Sequence, residues 1–145
     1  MNENELTAMA GRYREILRHA VYLVRSLDAE GQLSTGHVST LNMVANAPAR
    51  VSDIARNSGI RVPSATEQVI KLETAGLVER SVDPNDARVV LVALTPAGRA
   101  ALAEANAFRN GIIAKALAAL TDAERAAIDA AIPAIAKLNA ALSAQ

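Results

Sequence analysis

The chain has 145 residues, 51% hydrophobic and 21% charged, the size and composition of one compact domain with a real core. It contains no cysteine, which excludes disulfides, thiolate zinc sites, cysteine nucleophiles and thiol-based redox sensing. Its 15 basic and 15 acidic side chains leave a formal net charge of zero, so a nucleic-acid reading has to rest on local placement.

Aromatic residues make up only 2%, which argues against binding through broad base-stacking surfaces. His19 and His37 are too few for most catalytic metal sites, so neither a metal nor another cofactor is expected. The amino terminus, Met-Asn-Glu-Asn-Glu, has no basic flank and no apolar run. No stretch approaches the roughly 18 uninterrupted apolar residues of a membrane span, so a cytoplasmic protein is the expectation.

Along the chain, Leu6, Met9, Tyr13, Ile16, Ala20, Val24 and Leu27 recur at steps of three and four, one face of a long helix. A polar break from Asp28 to Gln32 contains Gly31. Ser34 then caps a second helix with Val38, Leu41, Val44 and Ala45 inward, stopped by Pro48. Val51 to Ser58 reads as a short helix ending at Gly59. Pro63, suited to a first helical turn, opens another that runs to Ala75 and stops at Gly76, with Ala65, Val69 and Leu72 inward. Two short helices joined by a tight glycine-containing turn form a helix-turn-helix.

The period then changes from 3.6 to 2. Val78, Arg80 and Val82 alternate with Glu79 and Ser81, and Val89 to Leu94 is an unbroken β-favouring run. Between them Asp83-Pro84-Asn85-Asp86 favours a type I turn, giving a hairpin with a polar tip. Thr95 and Pro96 restart helix, with Leu102, Ala105, Phe108, Ile112, Ala116 and Leu120 on one face. Thr121 and Glu124 have capping-box spacing. A last helix repeats Ile128, Ile132, Ile135, Leu138 and Leu142, with Pro133 as an expected kink.

A helix-turn-helix followed at once by a hairpin is a winged helix. The fold expected is therefore mainly α with a small β-hairpin wing. A winged helix-turn-helix over residues 33–94 would be flanked by a helical dimerisation region, 1–32 and 95–145. The second helix of such a unit fits the major groove, and the wing reaches the adjacent backbone or minor groove. One unit reads few base pairs, so specificity calls for two related by a two-fold axis, and the apolar faces at the chain ends are what a dimer would bury. Local charge agrees. Residues 50–66 carry Arg50, Arg56 and Arg61 against Asp53 alone, and the wing adds Arg80 and Arg88. The plainer account of these arginines is an ordinary solvated face.

The residues also carry a resemblance. Val51-Ser52-Asp53-Ile54-Ala55, Leu72-Glu73-Thr74-Ala75-Gly76-Leu77-Val78, Asp83-Pro84-Asn85-Asp86-Ala87-Arg88 and Leu94-Thr95-Pro96-Ala97-Gly98, in that order, resemble the MarR family of bacterial transcription regulators. The resemblance implies a homodimer, more often repressor than activator, whose two winged lobes straddle a pseudo-palindromic operator in double-stranded DNA. Arg88 matches the family's wing-tip arginine that enters the minor groove, where a narrow A·T-rich groove concentrates negative potential. Asp86 matches the carboxylate that holds this arginine; otherwise the pair is a solvated turn contact worth little.

On the recognition helix, projection at about 100° per residue turns Pro63, Ser64, Thr66, Glu67, Ile70, Lys71 and Thr74 away from the inward stripe. Ser64, Thr66 and Lys71 match family positions that touch phosphates and base edges. Gln68 falls near the buried flank, either a base reader or a packed side chain. Arg61 stands where the family often has a capping serine, and Glu67 where it often has a basic residue. Glu67 repels phosphates but can accept from cytosine N4, so it puts the base code in question rather than DNA binding.

Two other function classes compete. Glu15 and His19, four apart, have the spacing of metal ligands, but no second ligand pair, phosphate-binding glycine loop or nucleophile constellation accompanies them, so no enzyme is expected. Winged helices also serve as protein docking modules, a reading favoured by Glu67 and the zero net charge and opposed by the Asp86–Arg88 wing. The resemblance further implies release of DNA by a small, often aromatic and anionic ligand between the dimer helices and the winged lobe. Tyr13, His19, Tyr22 and His37 are candidates to approach such a cleft, though the plainer account of each is a core or surface residue.

Overall fold

A computed structural model describes residues 1–28 and 32–145; the break expected around Gly31 lies outside the described residues. The elements run α1 (Glu3–Asp28), α2 (Thr35–Met43), β1 (Ala49–Arg50), α3 (Val51–Ser58), α4 (Val62–Thr74), β2 (Val78–Asp83), β3 (Asp86–Leu94), α5 (Pro96–Ala118) and α6 (Asp122–Ser143). The chain divides into two compact units, Met1–Arg109 and Asn110–Gln145, with the division falling inside α5.

The helix boundaries follow the sequence closely because their caps are local. Ser34 accepts from the His37 amide at 3.2 Å. α3 stops at Gly59, whose φ of 66° is left-handed, and Gly76, with φ of 76°, follows the end of α4 in the same way. Thr95 accepts from the Gly98 amide at 3.0 Å to start α5. Thr121 and Glu124 form the reciprocal capping box at the start of α6.

The core belongs to the first unit. Val38 and Leu41 of α2, Ile54 and Ala55 of α3, Ala65, Val69 and Leu72 of α4, Val78 of β2, Val92 of β3 and Leu102 of α5 are all buried. Each large aliphatic side chain there contributes about 1.5–3 kcal/mol by leaving water. The sheet is three-stranded and antiparallel, in the order β1-β3-β2. β1 is an addition to the hairpin read from the sequence: Ala49 pairs with Val92 and Arg50 with Leu91. Two residues are too few to show any period, so β1 is visible only through its pairing. At the hairpin tip the Asn85 amide donates to the Asp83 carboxylate at 2.8 Å, and neither Pro84 nor Asn85 has positive φ, which excludes the primed turn types.

Gly98 marks a close approach. It is buried, and a Cβ there would overlap the Leu77 backbone carbonyl. Thr95 reinforces the contact: its hydroxyl donates to the Gly76 carbonyl at 2.6 Å and its amide to the Leu77 carbonyl at 3.1 Å. Further along α5, Arg99 donates to the Ala45 carbonyl at 3.3 Å, and Asn106 to Asn42 of α2 at the same distance.

α1 and α6 differ from this core. On α1 only Tyr13 and Leu27 of the expected stripe are half-buried, whereas Leu6, Met9, Ile16 and Val24 stay exposed. α6 has no buried residue, and Ile128, Ile132, Ile135, Leu138 and Leu142 are all exposed. The helix continues through Pro133. At 22 residues α6 is long and apolar enough to cross a membrane by length and composition alone. Its large apolar side chains lie on one stripe, however, and Asp129 and Lys137 interrupt it, the pattern of a helix that packs by one face.

Candidate nucleic-acid interface

α3 and α4 form the helix-turn-helix, and the Ala65, Val69 and Leu72 stripe decides how α4 is rotated. Once that stripe is buried, Pro63, Ser64, Glu67, Ile70, Lys71 and Thr74 are exposed together, as the sequence predicts, while Thr66 is half-buried at the edge of the face. Arg61 precedes the helix as its N-cap and makes no side-chain cap bond. Glu67 and Lys71 pair across one turn, Oε1 to Nζ at 3.3 Å, with both side chains largely in solvent.

Gln68 turns inward. Its Oε1 accepts from the buried Thr40 hydroxyl of α2 at 3.3 Å, and its amide lies against Gly36, where an added Cβ would approach Nε2 to 3.0 Å. Of the two readings of Gln68, this geometry supports packing, with the half-buried side chain bridging α2 and α4. Thr40 and Gly36 escaped the sequence reading because their partner lies about thirty residues away and nothing local announces it.

His37, also on α2, is half-buried, and burial together with the Lys71 cation holds its imidazole below the usual value.

At the wing, Arg88 is almost wholly in solvent, and Asp86 braces it. The Arg88 amide and Nε both donate to Asp86 Oδ1 at 3.1 Å, and a terminal nitrogen donates to Oδ2 at 3.4 Å. These hydrogen bonds from Arg88 hold the Asp86 carboxyl below the usual carboxylate range, and the Arg50 cation acts in the same direction. Arg50, paired with Leu91 of β3, reaches Asp83 near the hairpin tip at 3.8 Å. Arg56 pairs with Asp53 on its own helix at 2.8 Å.

Arg80, on the first wing strand, is tied back to α4. Its amide and Nε donate to the Glu73 carboxylate at 3.2 and 3.1 Å, and a terminal nitrogen lies 3.1 Å from the same group. Hydrogen bonding from Arg80 is the main reason that the Glu73 carboxyl sits below its usual range. The pair fastens the last turn of α4 to the first wing strand, so Glu73, overlooked in the sequence, sets the angle between the two parts. The candidate interface therefore has an exposed α4 face and an exposed arginine at the wing, with Thr40–Gln68 tying α4 to α2 and Glu73–Arg80 tying α4 to the wing.

The sequence pattern of the MarR family matches residues 33–90, the stretch that contains both the helix-turn-helix and most of the wing. Over these residues the chain is similar to the MarR family. The chain is similar to YxaD of Bacillus subtilis (strain 168), an uncharacterised helix-turn-helix-type transcriptional regulator, at 29% identity over 99 residues, 68% of this chain and 69% of that protein. Among solved structures it is similar to the transcriptional regulator BldR from Sulfolobus solfataricus, at 26% identity and a TM-score of 0.73, with 100% of both chains covered. BpsR of Bordetella bronchiseptica, whose DNA binding is regulated by 6-hydroxynicotinic acid, shares the fold at 24% identity and a TM-score of 0.64, covering 89% of this chain and 98% of that one. The MarR family consists of transcription regulators rather than enzymes. Among the described residues no group of three or more His, Cys, Asp or Glu is placed to hold a metal ion, and Glu15 and His19 gain no further ligand.

Proposed function

We propose that this DNA-binding transcription regulator acts in the cytoplasm as a homodimeric repressor on a pseudo-palindromic operator. The observation that carries the reading is Arg88, exposed at the wing and oriented by Asp86 before any DNA arrives. An arginine already held in place loses less side-chain entropy when it enters a groove than one moving freely in solvent. Arg50, Arg61, Ser64, Thr66 and Lys71 are the proposed backbone and base-edge contacts around it, while Gln68 and Arg80 position the helix and wing. The homodimer is supported by the exposed isoleucines and leucines of α6 and, separately, by the exposed apolar stripe of α1, side chains that association would take out of water.

A ligand that releases the protein from DNA is part of the same proposal. An open groove of about 710 Å³ along α1 is lined by Arg14, Arg18, His19, Tyr22 and Arg25 with two aliphatic neighbours. Cations beside an aromatic ring suit a small aromatic anion, and of the four residues singled out for such a cleft His19 and Tyr22 line this groove. Such a ligand releases DNA by favouring a conformation with the wrong spacing between the two recognition helices.

The test is binding of the purified protein to a duplex of its own upstream region, wild type against Arg88→Ala, across a salt series. Affinity should fall steeply with salt, and the variant should be weaker by roughly 1–3 kcal/mol. Salt-insensitive binding, or an Arg88→Ala protein that binds equally well, would remove the wing from the interface and favour a docking module.

A further inference from the structure

The exposed face of α4 is not the uniformly basic surface that phosphate contacts alone would select. Glu67 stands near its middle with 71% of its side chain in solvent, and it pairs with Lys71 at 3.3 Å. One turn on, Ile70 is 42% exposed, although the inward stripe of the helix is already complete without it. A carboxylate beside a duplex is repelled by every phosphate it faces, and an isoleucine left in water brings no packing to its own unit. Both side chains do have counterparts on base edges. In the major groove cytosine presents an N4 amine, which a carboxylate accepts from, and thymine presents a C5 methyl group, which an aliphatic side chain covers.

Positions i and i+3 of a helix share a face with Cβ atoms about 5–6 Å apart. That span lies between one and two base-pair steps of about 3.4 Å each. We propose that Glu67 and Ile70 are the specificity-determining residues of α4. Glu67 accepts a hydrogen bond from cytosine N4, and Ile70 covers the methyl group of a thymine one or two base pairs away. The inference rests on α4 entering the major groove. Lys71 makes the arrangement workable: an exposed ion pair is weak, so Lys71 leaves Glu67 for a phosphate at little cost and frees the carboxylate for the base.

The experiment is selection of bound duplexes from a randomised pool by wild type, Glu67→Ala, Glu67→Gln and Ile70→Ala, followed by affinities on the selected duplex. Both replaced side chains are exposed, so the three variants should fold as wild type does, which circular dichroism checks. Wild type should select a cytosine and a thymine at the stated spacing. Glu67→Ala should lose the cytosine column alone, bind the selected duplex about fivefold to tenfold more weakly, and bind unrelated duplexes more tightly. Glu67→Gln should move that column toward adenine, whose N6 and N7 suit an amide. Ile70→Ala should lose the thymine column, and exchanging that thymine for uracil, which lacks only the methyl group, should weaken wild type and leave Ile70→Ala unchanged.

Identical columns for wild type and Glu67→Ala would overturn the assignment while leaving DNA binding intact. A wild-type protein that selects no duplex at all would overturn the groove reading itself.

Discussion

The winged core and helix α6 draw on the same apolar residues and use them oppositely. In the core, Leu41, Val69 and Leu72 are hidden because three helices and a sheet surround them. On α6, Ile128, Ile132 and Leu138 have the same helical spacing, yet none is buried in the single chain. Periodicity marks which face of a helix is sticky, but not whether the partner lies in the same chain. The core is thus expected to fold at any concentration, and the α6 stripe to acquire its stabilising role only through association.

Core and stripe replacements should separate these roles, and the largest effect is expected in the core. Leu72→Ala leaves a cavity among α2, α3 and α4 and should cost about 2–5 kcal/mol, read by denaturant unfolding and independent of protein concentration. Ile132→Glu should leave the core's secondary structure intact and shift sedimentation toward a lighter species, with unfolding that becomes concentration-dependent. A wild-type protein that stays monomeric at high concentration would break the contrast.

A smaller effect sharpens the view of the core as a set of fixed angles. Thr40→Val keeps the shape of the side chain and removes the hydroxyl that holds Gln68, so stability should fall by about 1 kcal/mol, while Thr40→Ser should restore most of it. If Thr40→Val also weakens DNA binding and Thr40→Ser recovers it, the bridge acts on the orientation of α4 and not on stability alone.

The smallest effect is a pH dependence. The folded state holds His37 below its ordinary value of 6.5, so the unfolded chain binds the extra proton more readily. Stability should be fully present above that value and decline as pH falls through it, toward the lower folded value. Thermal melts of wild type and His37→Asn at pH 7.5 and 5.5 should show a larger drop for wild type.

Much of this was legible in the sequence because it is local. Helix caps at Ser34, Thr95 and Thr121, glycine stops at Gly59 and Gly76, and the Asp-Pro-Asn-Asp tip each depend on residues within a few positions. The rotation of α4 was equally legible, since Ala65, Val69 and Leu72 leave one solution. The two-residue β1 was not, because its cause is pairing with β3 more than forty residues away. The partners of Arg80 and Gln68, Glu73 and Thr40, were not legible, because no spacing rule connects them.

The seat of Gly98 has a mechanical consequence. With its α-carbon against the Leu77 carbonyl and Thr95 bonded to Gly76 and Leu77, the first turn of α5 and the segment just after α4 cannot shear past each other without losing those bonds. Torque entering through α5 is thus delivered to the recognition helix at its carboxyl end. The opposite end, at Arg61, carries no side-chain cap and is the one that a small rotation displaces most. α4 is hung like a door, its hinge side at Gly76 and its handle at the residues that would meet the duplex.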